Sequence, residues 1–257
     1  PIEGEMKDDN NAGILRINVV TQKPRILVID GRPRWEFRYL RNLLERDNRW
    51  ETNTVLCDWA GGQPILGPRG NGTGRFPARR ELLFQYQLIV LGDVSPRIFT
   101  QTEMQWIRDY VQFNGGGLIC IDGRMERLVN FAGSPLFDLF PVRFWGDRAL
   151  SSMKMRVRFR SAGGAQAPLM LAANTADNLT IWNDLPGPRW AAVTEALPGA
   201  ETLLEIVNGN SVVPGLVFRR WGAGRVLYSA FDETWRWRFN IGDRHHQRYW
   251  NQVAKWI

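Results

Sequence analysis

The sequence predicts an α/β fold: a doubly wound, mainly parallel sheet with helices on both faces and a β-rich extension in its second half. Three observations lead there. Between residues 25 and 122, short apolar runs ending in turns alternate with amphipathic helical stretches, the pattern of βα units in a parallel sheet. The runs RILVID (25–30), QLIVLGD (87–93) and GLICID (117–122) are apolar nearly throughout, which suits strands covered on both faces. From 142 to 216 the texture changes to alternating and Gly-, Pro- and Asn-punctuated sequence, the signature of exposed strands and turns.

The elements follow in order. Residues 1–24 (PIEGEMKDDNNAGILRINVVTQKP) contain a polar turn and an alternating strand, and they read as a lead-in from a preceding β-module. The domain proper is 25–257. After the strand 25–30, residues 34–47 form a helix with Phe37, Leu40 and Leu44 on its apolar stripe. NTVLCD is the second strand, and WAGGQPILGPRGNGTGRFPARR is a long loop before the third. In TQTEMQWIRDYVQFNGGG, Thr100 and Glu103 have capping-box spacing. Met104, Ile107 and Val111 form the stripe of that helix, and Gly115 ends it. MKMRVRFRS alternates as a half-exposed strand. VPGLVFRRWGAGRVLYSAF is a hairpin turning at WGAG. A last helix from about Asp243 turns Tyr249, Trp250, Val253 and Trp256 inward.

Composition narrows the function. The chain has 257 residues, 44% hydrophobic and 23% charged, with a net charge of +7, ordinary for a globular domain. Only Lys7, Lys23, Lys154 and Lys255 are lysines, and the arginines sit beside acids or aromatics, as in RELLF and ETWRWRF. That interleaving argues against nucleic-acid binding, which favours an uninterrupted basic stripe. No apolar run of about 18 residues occurs, so no spanning helix is expected. The chain begins at Pro1, as expected of an excised or processed fragment. Cys57 and Cys120, the only cysteines, lie in strand-like runs and form no disulfide framework.

Several catalytic patterns are missing. The glycine-rich GPRGNGTGR lacks the GK[ST] of a phosphate loop. His245 and His246 are adjacent, about 100° apart on a helix, and cannot chelate as an i, i+4 pair does. No G-x-S-x-G elbow is present. Neither a metal nor a cofactor is expected.

The strand ends remain, because ligands of doubly wound sheets bind outside the carboxyl ends of the strands. Arg32, Arg34, Trp35 and Glu36 follow the first strand, Asp93 the third, and Asp122 and Arg124 the fourth. Asp232, Glu233, Trp235 and Arg236 follow the late strand in AFDETWRWRF. Acids and arginines in near balance read either as an ion-pair network or as a polar ligand site. Trp35 is expected to stack on an arginine of residues 232–238 and so to lock the first turn to the late hairpin.

The phrases ILVIDGRPRWEFRYLRNLLERD, GGGLICIDG and GAGRVLYSAFDETWRWR…YWNQVAKWI resemble, over residues 25–257, the class I glutamine amidotransferase-like fold. The similarity is to its branch in large bacterial membrane-anchored proteins with von Willebrand A-type domains. The resemblance implies a flavodoxin-like sheet. It also implies a cysteine nucleophile after the fourth strand and a histidine after a late strand. Here Cys120 is the only cysteine near the first position, and Asp232 stands where the histidine belongs. A carboxylate raises a neighbouring thiol's pKa instead of lowering it. The resemblance therefore implies a non-catalytic interaction or ligand-sensing module of a larger membrane-associated protein, whose other domains are its expected partners. The alternatives are an amidotransferase or hydrolase using Cys120 or carboxylates around Asp232 and Glu233, and a sugar or polyol binder built on the tryptophan-rich rim.

Overall fold

The computed structural model describes residues 23–60, 63–65, 67–125, 128–160, 167–239 and 242–257. The expected lead-in strand of residues 1–24 lies almost wholly outside them. The chain runs β1 (Arg25–Asp30), α1 (Trp35–Arg46), β2 (Glu51–Leu56), then the short strands β3 (Asp58–Ala60), β4 (Gln63–Ile65), β5 (Arg69–Gly70) and β6 (Phe76–Pro77). Next come α2 (Arg80–Leu83), β7 (Leu88–Leu91), α3 (Gln101–Asn114), β8 (Gly117–Ile121), β9 (Val142–Ser151), β10 (Arg156–Phe159) and α4 (Thr175–Asp184). The chain closes with β11 (Trp190–Ala196), β12 (Glu201–Asn208), β13 (Ser211–Trp221), β14 (Gly224–Ser229), a 3-10 turn (Thr234–Arg238) and α5 (Arg244–Trp256).

An eight-stranded sheet in the order β10-β12-β13-β14-β8-β7-β1-β2 organises the molecule. From β14 to β2 every pairing is parallel, and β10, β12 and β13 extend one side antiparallel. The fold is thus α/β with a mostly parallel central sheet plus antiparallel strands. The parallel strands β1, β7 and β8 are buried almost throughout. Two apolar cores explain this, one on each face. Met104, Ile107, Tyr110 and Val111 of α3 fill one with Leu27, Ile89 and Cys120. Phe37, Leu40 and Leu44 of α1 fill the other with Tyr249, Trp250 and Val253 of α5. Each fully buried Leu or Phe of this kind contributes about 1.5–3 kcal/mol.

Local signals act where the sequence places them. Thr100 and Glu103 close a reciprocal capping box on α3, and Gly115 ends the helix at φ +72°, a left-handed conformation that only glycine adopts cheaply. The β13–β14 hairpin turns at Gly222–Ala223. Between 142 and 216, β9 and β11 form a separate antiparallel pair, and α4 lies between them with Asn174 as its N-cap. That helix was not expected, because its short, weakly amphipathic sequence is surrounded by turn residues. Among the described residues no helix is long and apolar enough to cross a membrane.

Candidate functional site

Because β1, β7, β8 and β14 are parallel, their carboxyl ends share one edge of the sheet. The edge gathers the acids and arginines singled out above, and their hydrogen bonds decide between the network and the open site. Arg34 lies 2.8 Å from Asp30 and 2.8 Å from Asp232. Glu36 accepts from the Trp235 N–H at 3.2 Å and from the Thr234 hydroxyl, which itself accepts from Trp250 Nε1 at 2.9 Å. Asp122 accepts from the N–H groups of Gly123 and Leu128 and from the Tyr228 hydroxyl at 2.8 Å. Asp93 accepts from the Met125 N–H, and the Arg32 N–H donates to Asp30. Glu233 pairs with Arg124 at 3.3 Å, accepts from the Arg189 N–H, and lies 3.9 Å from Arg236. Arg236 also donates to the Gly187 carbonyl.

The edge is also tight. A Cβ on Gly92 would fall 2.0 Å from Asp30 Oδ2, and one on Gly123 would fall 2.2 Å from Asp93 Cγ. Both turns need glycine because the carboxylates press against their backbones. Burial pushes Glu36 up to about 7 and Asp122 up to about 6, against the hydrogen bonds that lower them. Burial also raises Asp30, opposed by Arg34. These groups are perturbed because they sit inside a filled network, which holds β1, α1, β8 and the segment after β14 together.

Cys120 sits in mid-strand at 0% exposure. Burial pushes its thiol pKa up, and Asp122 adds to the rise. Its side chain belongs to the α3-side core, whereas both histidines are on α5, which packs on the other face. No thiolate–imidazole pair can form across the sheet, so a cysteine mechanism has no base. Asp232 and Glu233 are engaged by arginines, and among the described residues no group of three or more His, Cys, Asp or Glu is placed to hold a metal.

The lock between the first turn and the late segment exists with different partners from those expected. Trp35 stacks on Tyr39 at 5.8 Å and meets Trp235 at 5.9 Å, while the arginine over it is Arg38 of its own helix, at 5.2 Å. From residues 232–238 it is Arg238 that lies over a ring, that of Tyr39, at 3.8 Å. Trp237, two residues beyond Trp235, is instead core, packed edge-on against Trp182 and Tyr249. Trp235 continues to Phe239 at 5.7 Å. Trp35 is 50% and Phe239 60% exposed, so an aromatic face points to solvent beside the filled edge.

Tyr39 of that face also lines a cleft of about 530 Å³, together with Arg38, Asn42, Arg46, Arg238 and His246, among others. Sequence reasoning took only the apolar stripe of α1. The second stripe, Trp35, Tyr39, Asn42 and Arg46, has helical spacing too and was the signal available for this site.

No protein-family model matches the chain, and no curated protein matches it. Solved structures do. An exo-β-1,4-mannosidase from Opitutaceae bacterium strain TAV5 is 14% identical with a TM-score of 0.46, over 91% of this chain and 35% of that one. A β-galactosidase from Bacillus circulans sp. alkalophilus is 12% identical with a TM-score of 0.46, over 90% and 31%. A polyextremophilic β-galactosidase from the Antarctic haloarchaeon Halorubrum lacusprofundi is 15% identical with a TM-score of 0.45, over 82% and 28%. The chain spans about a third of the length of these structures. They are glycosidases and not glutamine amidotransferases, which corrects the family resemblance drawn from the RPRWE and DETWRWR phrases. The flavodoxin-like label is not confirmed, and the non-catalytic amidotransferase-like interaction or ligand-sensing role and the glutamine amidotransferase alternative on Cys120 are corrected with it. The Asp232 and Glu233 carboxylates of the hydrolase alternative are held by arginines.

Proposed function

We propose that this domain binds a saccharide on the aromatic face formed by Trp35, Tyr39, Trp235 and Phe239. The observation that carries this reading is the half-exposed Trp35, stacked on Tyr39 and packed against Trp235, with Tyr39 itself lining a polar cleft. A contiguous exposed aromatic surface rimmed by polar groups marks a binding site more often than it occurs idly. A sugar ring offers one flat face of C–H groups to such a platform and leaves its hydroxyls to the rim. Asn42, Asn48 and Gln247 line the cleft and supply amides that both donate and accept. Arg238 lies over the Tyr39 ring and adds to the packing of the platform, and a platform already packed in place needs little ordering on binding. Arg38 over Trp35 is exposed, and exposed side chains change rotamer in picoseconds to nanoseconds.

A screen of immobilised glycans with the chain and its Trp35→Ala variant tests the proposal. Retention on at least one glycan class is expected, weakened about tenfold or more by the substitution, the size of a hot-spot aromatic. No retention on any glycan, or retention indifferent to Trp35→Ala, would sink it.

A further inference from the structure

The chemistry of the cleft says more about the ligand. Four arginines line it, Arg38, Arg46, Arg49 and Arg238, against two carboxylates, Asp47 and Asp243. Arg49 is engaged by Asp47 at 2.8 Å and Arg238 by Asp243. Among the described residues neither Arg38 nor Arg46 has a carboxylate partner, so the cleft keeps an excess of two positive charges. Arg46 also ends α1, where a cation suits the helix dipole.

His246 is a second, independent pointer. It lines the cleft, is 2% exposed, and its Nε2 has no hydrogen-bond partner. An unpaired buried polar atom is destabilising, and a ligand oxygen in the cleft would relieve that cost. The charged groups facing the ring, Arg238 and Asp243, already pair with each other and offer the imidazole nothing.

We propose that the saccharide is an anionic oligomer, its carboxylate or sulfate groups entering the cleft to meet Arg38, Arg46 and His246 while a ring packs on Trp35. This rests on the saccharide reading above and adds the ligand's charge. Arg38, Asn42 and Arg46 recur every four residues on α1, about 6 Å apart along the axis, a repeat comparable to one sugar unit. An arginine, an amide and an arginine in line suit a chain that alternates anionic and hydroxyl groups.

Titration calorimetry of the full chain with three hexamers tests this: a galacturonate oligomer, a heparin-derived sulfated oligomer and a neutral galactose oligomer. Arg46→Gln probes the cleft, and Arg143→Gln is a control of equal charge change, since Arg143 pairs with Glu195 on the β9–β11 sheet. At about 0.15 M salt, where diffuse charge is largely screened, one anionic hexamer is expected to bind about tenfold or more tighter than the neutral one. Arg46→Gln is expected to erase that margin and Arg143→Gln to leave it. The preferred anionic hexamer identifies carboxylate or sulfate as the group bound. Equal affinity for neutral and anionic hexamers, with Trp35→Ala still disruptive, would overturn the charge inference and leave the saccharide reading standing. Equal losses in the two arginine variants would also overturn it, as diffuse attraction. Binding of none of the three would count against both the charge inference and the saccharide reading.

Discussion

Arg34 joins the two halves of the domain: its guanidinium lies 2.8 Å from the Asp30 carboxylate and 2.8 Å from that of Asp232. Asp30 ends β1, and Asp232 follows β14, the last strand, so one side chain spans nearly the whole sequence of the sheet. Removing it leaves two shielded carboxylates without a counter-charge.

Breaking a buried pair by deleting one partner typically costs about 3–5 kcal/mol, because an uncompensated charge stays behind. Arg34→Leu is expected to lower the unfolding free energy measured in urea by that order. Arg34→Lys is expected to recover only part of it, since an ammonium cannot reach two carboxylates in a planar fork. A loss below about 1 kcal/mol would place Arg34 among surface ion pairs of little consequence.

Cys120 makes a second expectation. A thiol at 0% exposure, with its pKa raised by burial and Asp122, has neither access nor thiolate character. Treatment of the folded protein with a glutamine-mimicking electrophile is expected to leave Cys120 unmodified by peptide mass spectrometry, with labelling appearing only in denaturant. Selective labelling in the folded state would restore a cysteine mechanism.

The fold was legible in the sequence where local pattern and tertiary role agree. RILVID and GLICI are apolar throughout because both faces of β1 and β8 are covered. The capping box on α3 and the glycine ending it are local chemistry, and they stand as the sequence reads. The strand-end acids also converge on one edge as the parallel order requires. Other features are not local. Trp35 meets Trp235 across almost the entire chain, and adjacency to arginine in the sequence gave no way to tell the half-buried Trp235 from the fully buried Trp237. Charge balance alone could not distinguish a filled network from an open site, because only hydrogen-bond geometry shows that Glu36 and Asp122 are already satisfied. α4 escaped because packing against β10, not propensity, supports it.

Gly92 reports how tightly the edge is packed. A Cβ there would lie 2.0 Å from Asp30 Oδ2 and 2.6 Å from Arg34 Nη2, inside the ion pair. Gly92→Ala is expected to destabilise by about 1–3 kcal/mol, the usual cost of overpacking. Because the substitution acts by displacing that pair, its effect in an Arg34→Leu background should be clearly less than additive. Full additivity in chemical denaturation would show that the two sites act separately.

Glu36 gives the edge a pH signature. Burial raises its folded pKa to about 7 from the ordinary 4.5, with Asp232 adding to the rise and Thr234, Arg34 and the Trp235 N–H opposing it. For a carboxyl group whose folded pKa is raised, the folded state binds more protons than the unfolded state between the two values. Its contribution to stability is therefore complete below about pH 4.5 and is lost as pH rises through about 7. The shift corresponds to roughly 3 kcal/mol. Asp122, raised to about 6, works in the same direction in an overlapping window, so the chain alone cannot separate the two. Glu36→Gln can: the amide keeps an acceptor for Thr234 and cannot ionise. Unfolding measured at pH 5 and pH 8 is expected to show a smaller fall in stability for Glu36→Gln than for the parent chain. Identical slopes would mean that Glu36 ionises in the folded protein as it does in water, and that the edge is wetter than its hydrogen bonds indicate.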